Sequence, residues 1–379
     1  MSSIKPVRRI VVDDAIPEAE RLFGDLGEVI LLPGRAIDTD AVREADALIV
    51  RSRTRVDATL LAGSRVEFVG STVVGLDHVD RRWLNEAGIH FYSAQGCNAV
   101  AVAEYIIANL LRWACERKET LRGRALAVIG VGHVGEQVRR RAEALGLRLL
   151  LNDPPRAERE PAFPHTPLET CLREADFITL HTPLTDEGPH PTRHLLNRTN
   201  MGLIRPDAML INAARGGIVD EAAWLETDTA ADIIDCWENE PRINPKLFRR
   251  AWLATPHIAG HSLDAKLRGG VMASQALRRF WRAPLLNEAE IFARLPAPRP
   301  LELPESEDPI CRLTDLCRQA HDFTRDQRAL EPMDDTLPER FEHWRRHYPP
   351  RREWHAHALP AGLDEATRSA AVRLGFMGE

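Results

Sequence analysis

The segment Val128-Ile-Gly130-Val-Gly132-His-Val-Gly135-Glu-Gln-Val constrains this chain more than any other. It sets three glycines at G-x-G-x-x-G spacing between an apolar β-type run and a helix-forming one. The first glycine permits a tight turn, the second lets a pyrophosphate approach the backbone, and the third lets strand and helix pack closely. Free amides at the start of the helix then make an anion site. Asp153 stands eighteen residues after Gly135, at the end of the next strand-like run, Arg148-Leu-Leu-Leu-Asn-Asp153. A carboxylate there accepts from ribose hydroxyls and repels a 2′-phosphate, so NAD is expected over NADP. Arg156 nearby acts against that preference. His181-Thr182-Pro-Leu ends a later run, and Thr182 is a candidate nucleotide contact.

Around this fingerprint, short apolar runs alternate with helix-like stretches, the pattern of a parallel α/β layer. Strands are expected at 9–13, 28–32, 47–52 and 66–70, followed by a long apolar helix from Asn98 to Trp113 with Asn98 as its cap. The alternation restarts near Leu121, with strands expected at 125–130, 148–153, 177–181, 209–212 and 232–235. A helix over Ser262–Trp281 returns the chain to the first unit. Pro296, Pro298, Pro300, Pro304 and Pro309 mark a stiff, extended linker outside the core. The last 70 or so residues are few for a core of their own and are expected to pack on a neighbour or a second subunit.

Three segments downstream of the fingerprint carry the groups for chemistry: Asn212-Ala-Ala-Arg215-Gly-Gly, Asp235-Cys-Trp-Glu-Asn-Glu240-Pro and Thr255-Pro-His257-Ile-Ala-Gly260. A guanidinium holds a carboxylate bidentately, an imidazole moves a hydroxyl proton, and a carboxylate keeps that imidazole suitably charged. Each residue alone has an ordinary explanation as a surface or loop side chain. Together, beside a dinucleotide fingerprint, they suggest hydride transfer from a 2-hydroxy acid. Arg51-Ser52-Arg53 suits a phosphate at the far end of such a substrate, and equally a charged strand end.

Composition narrows the partners. The net charge of −6 argues against nucleic acid, no apolar run is long enough for a membrane, and the N-terminal Met1–Pro6 lacks a secretory apolar core. Six scattered cysteines without C-x-x-C spacing point to a reduced cytoplasmic protein and to no metal site. With four lysines and no G-x-x-x-x-G-K-[ST] loop, a phosphate-loop mechanism is excluded.

These motifs, spread over most of residues 10–285, resemble the D-isomer-specific 2-hydroxyacid dehydrogenase family. The resemblance implies two Rossmann-like, doubly wound parallel-sheet domains, the cofactor domain inserted in the substrate domain, plus a small C-terminal α+β dimerisation domain. The expected boundaries are 1–100 and 259–290 for the substrate domain, 101–258 for the NAD domain, and 291–379 for linker and dimerisation domain. It implies Arg215, Glu240 and His257 as catalytic residues, with Gly130, Gly132, Gly135, Asp153, Thr182, Asp235 and Gly260 at the cofactor. Ser52, Val73 and His261 would meet the substrate. Further segments, Leu48–Ser52, Gly75–Asp80, Gly96–Tyr105, Asn152–Arg156, Pro350–Trp354 and Leu374–Phe376, resemble one branch of the family. That branch oxidises a small phosphorylated 2-hydroxy acid in vitamin B6 biosynthesis and forms a homodimer through its C-terminal domain. It carries threonine where Val73 stands and tyrosine where His261 stands, and a somewhat longer stretch between Arg215 and Asp235. Two alternatives stay open: a sister dehydrogenase acting on 3-phosphoglycerate, and an NAD(H)-sensing protein without catalysis.

Overall fold

Continuous apolar runs of four or five residues suit strands covered on both faces, and such strands form parallel sheets. A computed structural model describes residues 7–378; the Met1–Pro6 stretch read above lies outside them. The chain divides into two units, 1–98 with 262–296, and 99–261 with 297–379.

In the first unit, β1 (Arg9–Asp13), β2 (Glu28–Leu32), β3 (Ala47–Val50), β4 (Phe68–Ser71) and β5 (His90–Ser93) form a parallel sheet of order β2-β1-β3-β4-β5. β3 is wholly buried. The helix Leu263–Trp281, capped by Ser262 accepting from the Ala265 amide, packs on this sheet. It comes close enough that a Cβ on Gly269 would sit 2.2 Å from the Thr72 carbonyl oxygen, so only glycine fits there.

In the second unit, β6 (Ala125–Ile129), β7 (Arg148–Asn152), β8 (Phe177–Leu180), β9 (Met209–Asn212), β10 (Ala231–Ile234) and β11 (Leu253–Ala254) form a parallel sheet of order β11-β10-β9-β8-β6-β7. The order reverses between β6 and β8, which opens a crevice at the strands' carboxyl ends. The apolar helix Ala99–Arg117 lies against the sheet, its side chains buried almost throughout. Asn98 does not cap it: its Oδ1 is buried without a hydrogen-bond partner.

The C-terminal segment packs into this second unit. Its helices Pro309–Ala320 and Glu365–Leu374 contribute Leu313, Leu316, Ala371 and Leu374 to one core cluster, and Leu337 and Phe341 of the helix Leu337–Arg346 join the other. Strand content is lower than the α+β expectation, because the segment buries amphipathic helices; its pairing among the described residues is one isolated bridge, Ala358 to Met377. The proline-rich stretch forms no helix or strand until Pro309, which opens the helix Pro309–Ala320, and Leu301 within it is buried in the core, against the expectation of a linker outside it.

A polar lock fixes the segment. The buried Glu104 accepts from Arg351 Nη1 at 3.2 Å and from the Trp354 amide at 2.7 Å. Arg351 Nη2 also donates to the carbonyls of Ala101 and Ala259. Burial and the neighbouring Glu353 push the Glu104 carboxyl up to about 8. Trp354 stacks on Phe376 at 5.1 Å, which joins the two C-terminal motifs singled out in the sequence.

Cys115 and Cys311 form a disulfide between the helices Ala99–Arg117 and Pro309–Ala320, against the expectation of reduced thiols throughout. Their separation of 196 residues leaves no local spacing to read. Cys97, Cys171, Cys236 and Cys317 are buried thiols. Among the described residues no helix is long and apolar enough to cross a membrane.

Candidate active site

The glycine turn has the conformation its sequence requires. Gly130 adopts φ +88°, and a Cβ there would meet His181 and Thr182 backbone within 3.0 Å; at Gly135 a Cβ would lie 2.1 Å from the Gly130 carbonyl oxygen. Gly132, by contrast, faces open space, the approach a pyrophosphate needs. Asp153 pins the turn: Oδ2 accepts from the Val131 amide at 2.8 Å and Oδ1 from the Arg156 amide at 2.8 Å. Arg156 is held by the Val131 carbonyl and by Glu160, so its charge is already partnered.

Thr182 follows β8, and its hydroxyl is buried with no hydrogen-bond partner. Such an orphan invites a ligand group. His181 beside it is a neutral core residue, pushed down to about 3 by burial and bonded to Thr179 Oγ1 at 3.0 Å. Open glycine, pinned carboxylate and orphaned hydroxyl together fit a dinucleotide.

Arg215 sits on the turn after β9. Asn212 Nδ2 donates to the Arg215 and Cys236 carbonyls, tying this turn to the strand beside it. Gly216 is compulsory, since a Cβ there would fall 1.8 Å from the Trp237 carbonyl oxygen. Gly217 then takes φ +79°. Asp220 caps the helix Glu221–Glu226 directly afterwards, so the shortened stretch leaves the turn in place.

Glu240 and His257 meet as the motif order suggested. His257 Nδ1 lies 2.8 Å from Glu240 Oε2 and 3.1 Å from Oε1, while Oε1 also accepts from the Trp237 amide at 2.9 Å. Burial works to raise the Glu240 carboxyl; the charge and hydrogen bond of His257, with Arg345 and the Trp237 amide, outweigh it and hold the group below its usual value. His257 has φ +55°, a left-handed conformation that a non-glycine residue keeps only when its surroundings impose it.

Asp235 imposes it. This carboxylate, at the end of β10, is 1% exposed. Oδ1 accepts from Thr255 Oγ1 and the Ile258 amide, both at 2.7 Å, and Oδ2 from the Ala259 amide at 3.0 Å. Burial lifts its carboxyl above the usual range, against the pull of His257 and these donors. Its bonds thus go to the His257 loop, a positioning job the motif alone did not show. Tyr105 OH, 2.8 Å from Thr255 Oγ1, and Trp237 Nε1, 3.0 Å from the Thr255 carbonyl, brace the same loop.

The other residues fall as follows. Gly260 and His261 continue the loop, and the His261 ring meets Tyr348 edge-on at 5.5 Å. Ser52 and Val73 lie in the first unit, just past the carboxyl ends of β3 and β4. Val73 has no polar side-chain atom; its carbonyl accepts from Ser93 Oγ at 3.2 Å. Sequence reasoning missed Arg345, whose Nη1 is 3.9 Å from Glu240 Oε2. Cys236, Glu240 and His257 bring one ligand atom each within 4.8 Å of one another. A metal could use that spacing, but the hydrogen bond commits Glu240 and His257 to each other.

Residues 107–259 match the D-isomer specific 2-hydroxyacid dehydrogenase, NAD binding domain, family. The erythronate-4-phosphate dehydrogenase of Hydrogenovibrio crunogenus is 47% identical over 98% of this chain and 99% of its own, and that of Klebsiella pneumoniae 41% identical over 97% and 98%. An NAD+-bound 3-phosphoglycerate dehydrogenase of Entamoeba histolytica has the same fold, with TM-score 0.61 at 23% identity over 73% of this chain and 96% of its own. NAD is accordingly the cofactor, and the Gly130–Gly135 turn, Asp153 and Thr182 have the chemistry that fits it.

One prediction concerns this cradle. Gly132→Val fills the open space and is expected to weaken NAD binding by about a hundredfold, while Thr182→Val weakens it by roughly three- to tenfold. Calorimetric titration with NAD reads both, and unchanged affinity in the Gly132 variant refutes the placement.

By sequence along nearly its whole length, and by the geometry of this site, the chain belongs to the D-isomer specific 2-hydroxyacid dehydrogenase family, in its erythronate-4-phosphate dehydrogenase branch.

Proposed function

We propose that the protein oxidises 4-phospho-D-erythronate to (R)-3-hydroxy-2-oxo-4-phosphooxybutanoate with NAD, in the biosynthesis of pyridoxine and pyridoxal 5′-phosphate in the cytoplasm. The observation that carries the chemistry is the 2.8 Å contact of Glu240 with His257 Nδ1. A carboxylate held below its usual value is ionised and only accepts, so Nδ1 bears a proton, and in the neutral imidazole the lone pair is on Nε2. Nε2 is then the base that takes the C2 hydroxyl proton. Arg215 holds the substrate carboxylate and steadies the carbonyl oxygen as it forms. Bound NAD supplies the acceptor for the C2 hydride. The ionised Glu240 stabilises the imidazolium left behind.

The first unit supports a phosphorylated substrate. Arg51 and Ser52 follow β3, and Lys266 lies in the first turn of the helix Leu263–Trp281. Burial, with Arg51 as a neighbouring like charge, pushes the Lys266 amine down to about 8. Two cations that repel each other gain from a phosphate between them. Substrate contacts are assigned to Ser52, Val73 and His261, the valine through its backbone.

The expected outcome is NADH formation from 4-phospho-D-erythronate with kcat/KM at least about a hundredfold above that for 3-phosphoglycerate. His257→Asn should lower turnover by about a thousandfold while NAD still binds. Faster turnover of 3-phosphoglycerate, or an unimpaired His257 variant, overturns the reading.

The homodimer is proposed to form through the C-terminal segment. Leu303, Val372 and Met377 are large apolar side chains exposed there. Light scattering on the double variant Val372→Arg, Met377→Arg should show a monomer; a persisting dimer places the interface elsewhere.

A further inference from the structure

The helix Leu337–Arg346 is anchored by Leu337 and Phe341 in the core around Trp237, Leu247 and Phe248. Trp344 Nε1 donates to Asp326 Oδ1 at 2.9 Å, and Tyr348, one turn on, donates to Asp326 Oδ2 at 3.0 Å. Residues 337, 341, 344 and 348 thus form one inward stripe at helical spacing. Arg345 follows Phe341 by four residues and shares that side of the helix. Its guanidinium is delivered to the dyad, Nη1 lying 3.9 Å from Glu240 Oε2 with the side chain 29% exposed.

We propose that Arg345 is a positioning residue for the reaction: the C-terminal segment supplies a second cation that holds Glu240 ionised and aligned on His257. The inference rests on the proton-transfer role assigned above to that pair. Arg345, and His257 once it takes the substrate proton, both face the half-buried Glu240 carboxylate, so each lowers the cost of leaving it charged.

The groups facing the pair from other elements do not supply this cation. Asp235 is committed to the His257 loop. Glu238 pairs with His194 at 2.5 Å, and Glu221 Oε1 accepts from the Glu238 amide. Burial raises both Glu221 and Cys236 above their ordinary values, and neither offers a positive charge. Arg215 carries the remaining cation nearby and is assigned to substrate carboxylate. With substrate bound, Arg345 is therefore the cation left to Glu240.

The test uses the full-length enzyme with NAD and 4-phospho-D-erythronate, measuring kcat/KM against pH. In Arg345→Gln, and in Arg345→Met, which keeps the apolar stem, a proton on the dyad is no longer opposed by this charge. The acid limb, which belongs to the Glu240–His257 pair, should move to higher pH by roughly half a unit to one unit. Activity at the acid end falls several-fold and approaches wild type at alkaline pH. Arg345→Lys should restore most of the profile, and Arg346→Gln, which removes an equal charge from the exposed neighbour, should leave the limb in place. A wild-type limb in both Arg345 variants overturns this inference alone. Absence of turnover by the wild-type enzyme overturns the proton-transfer reading and the inference with it.

Discussion

The buried carboxylate of Asp235 is the constraint on which the site depends. A charge at the end of β10 with almost no access to water must find donors, and it finds them in the loop that carries His257: one hydroxyl and two amides. Those three bonds hold the loop tightly enough to keep His257 in the left-handed conformation, with Nδ1 turned to Glu240. Pre-organisation of this kind would let His257, in the proposed role of base, act without rearranging at the moment of proton transfer. Trp237 and Tyr105 brace the loop from two further sides, so the cofactor unit's core and its chemistry share residues.

The C-terminal segment enters the same arrangement. Arg351 donates to the Ala259 carbonyl, two residues beyond His257, and to Glu104 on the long core helix. Tyr348 meets His261, and Arg345 approaches Glu240. Truncating Arg351 leaves the buried Glu104 carboxyl and the Ala101 and Ala259 carbonyls without their donor, a loss of about 1–3 kcal/mol for each group left unsatisfied. The segment is thus part of the cofactor unit's interior as well as the proposed surface for pairing with a second copy.

Much of this was legible in the sequence because the signals were local. Apolar runs over 9–13, 28–32, 47–52 and 125–130 gave the strands Arg9–Asp13, Glu28–Leu32, Ala47–Val50 and Ala125–Ile129, because a continuous apolar run is read without identifying a partner in advance. The glycine turn could be read from its spacing, and the contact of Glu240 with His257 from the motifs that carry them. What stayed hidden depends on distant chain meeting. The strand His90–Ser93 begins and ends on polar residues and is only partly buried, so it offers no apolar run, and Leu253–Ala254 has only two residues. Cys115 finds Cys311 only once two helices dock. Arg345 belongs to a stretch noticed as rich in arginine, and the apolar positions 337, 341, 344 and 348 could have shown which face it occupies. Asn98 had the chemistry of a cap, yet its oxygen goes unused. The motif of Asp235 implied a cofactor contact and gave no sign of its three bonds to the His257 loop.

The measurement that tests the central claim most directly is single-turnover NADH formation by Asp235→Asn. The amide is nearly the same shape but would face the loop's donors with an NH2 group in place of an oxygen. The account predicts a fall in rate of about a hundredfold or more at saturating substrate, as the His257 loop loses its anchor. A folded variant reacting at the wild-type rate would show that the loop, and with it the Glu240–His257 pair, is held by something else.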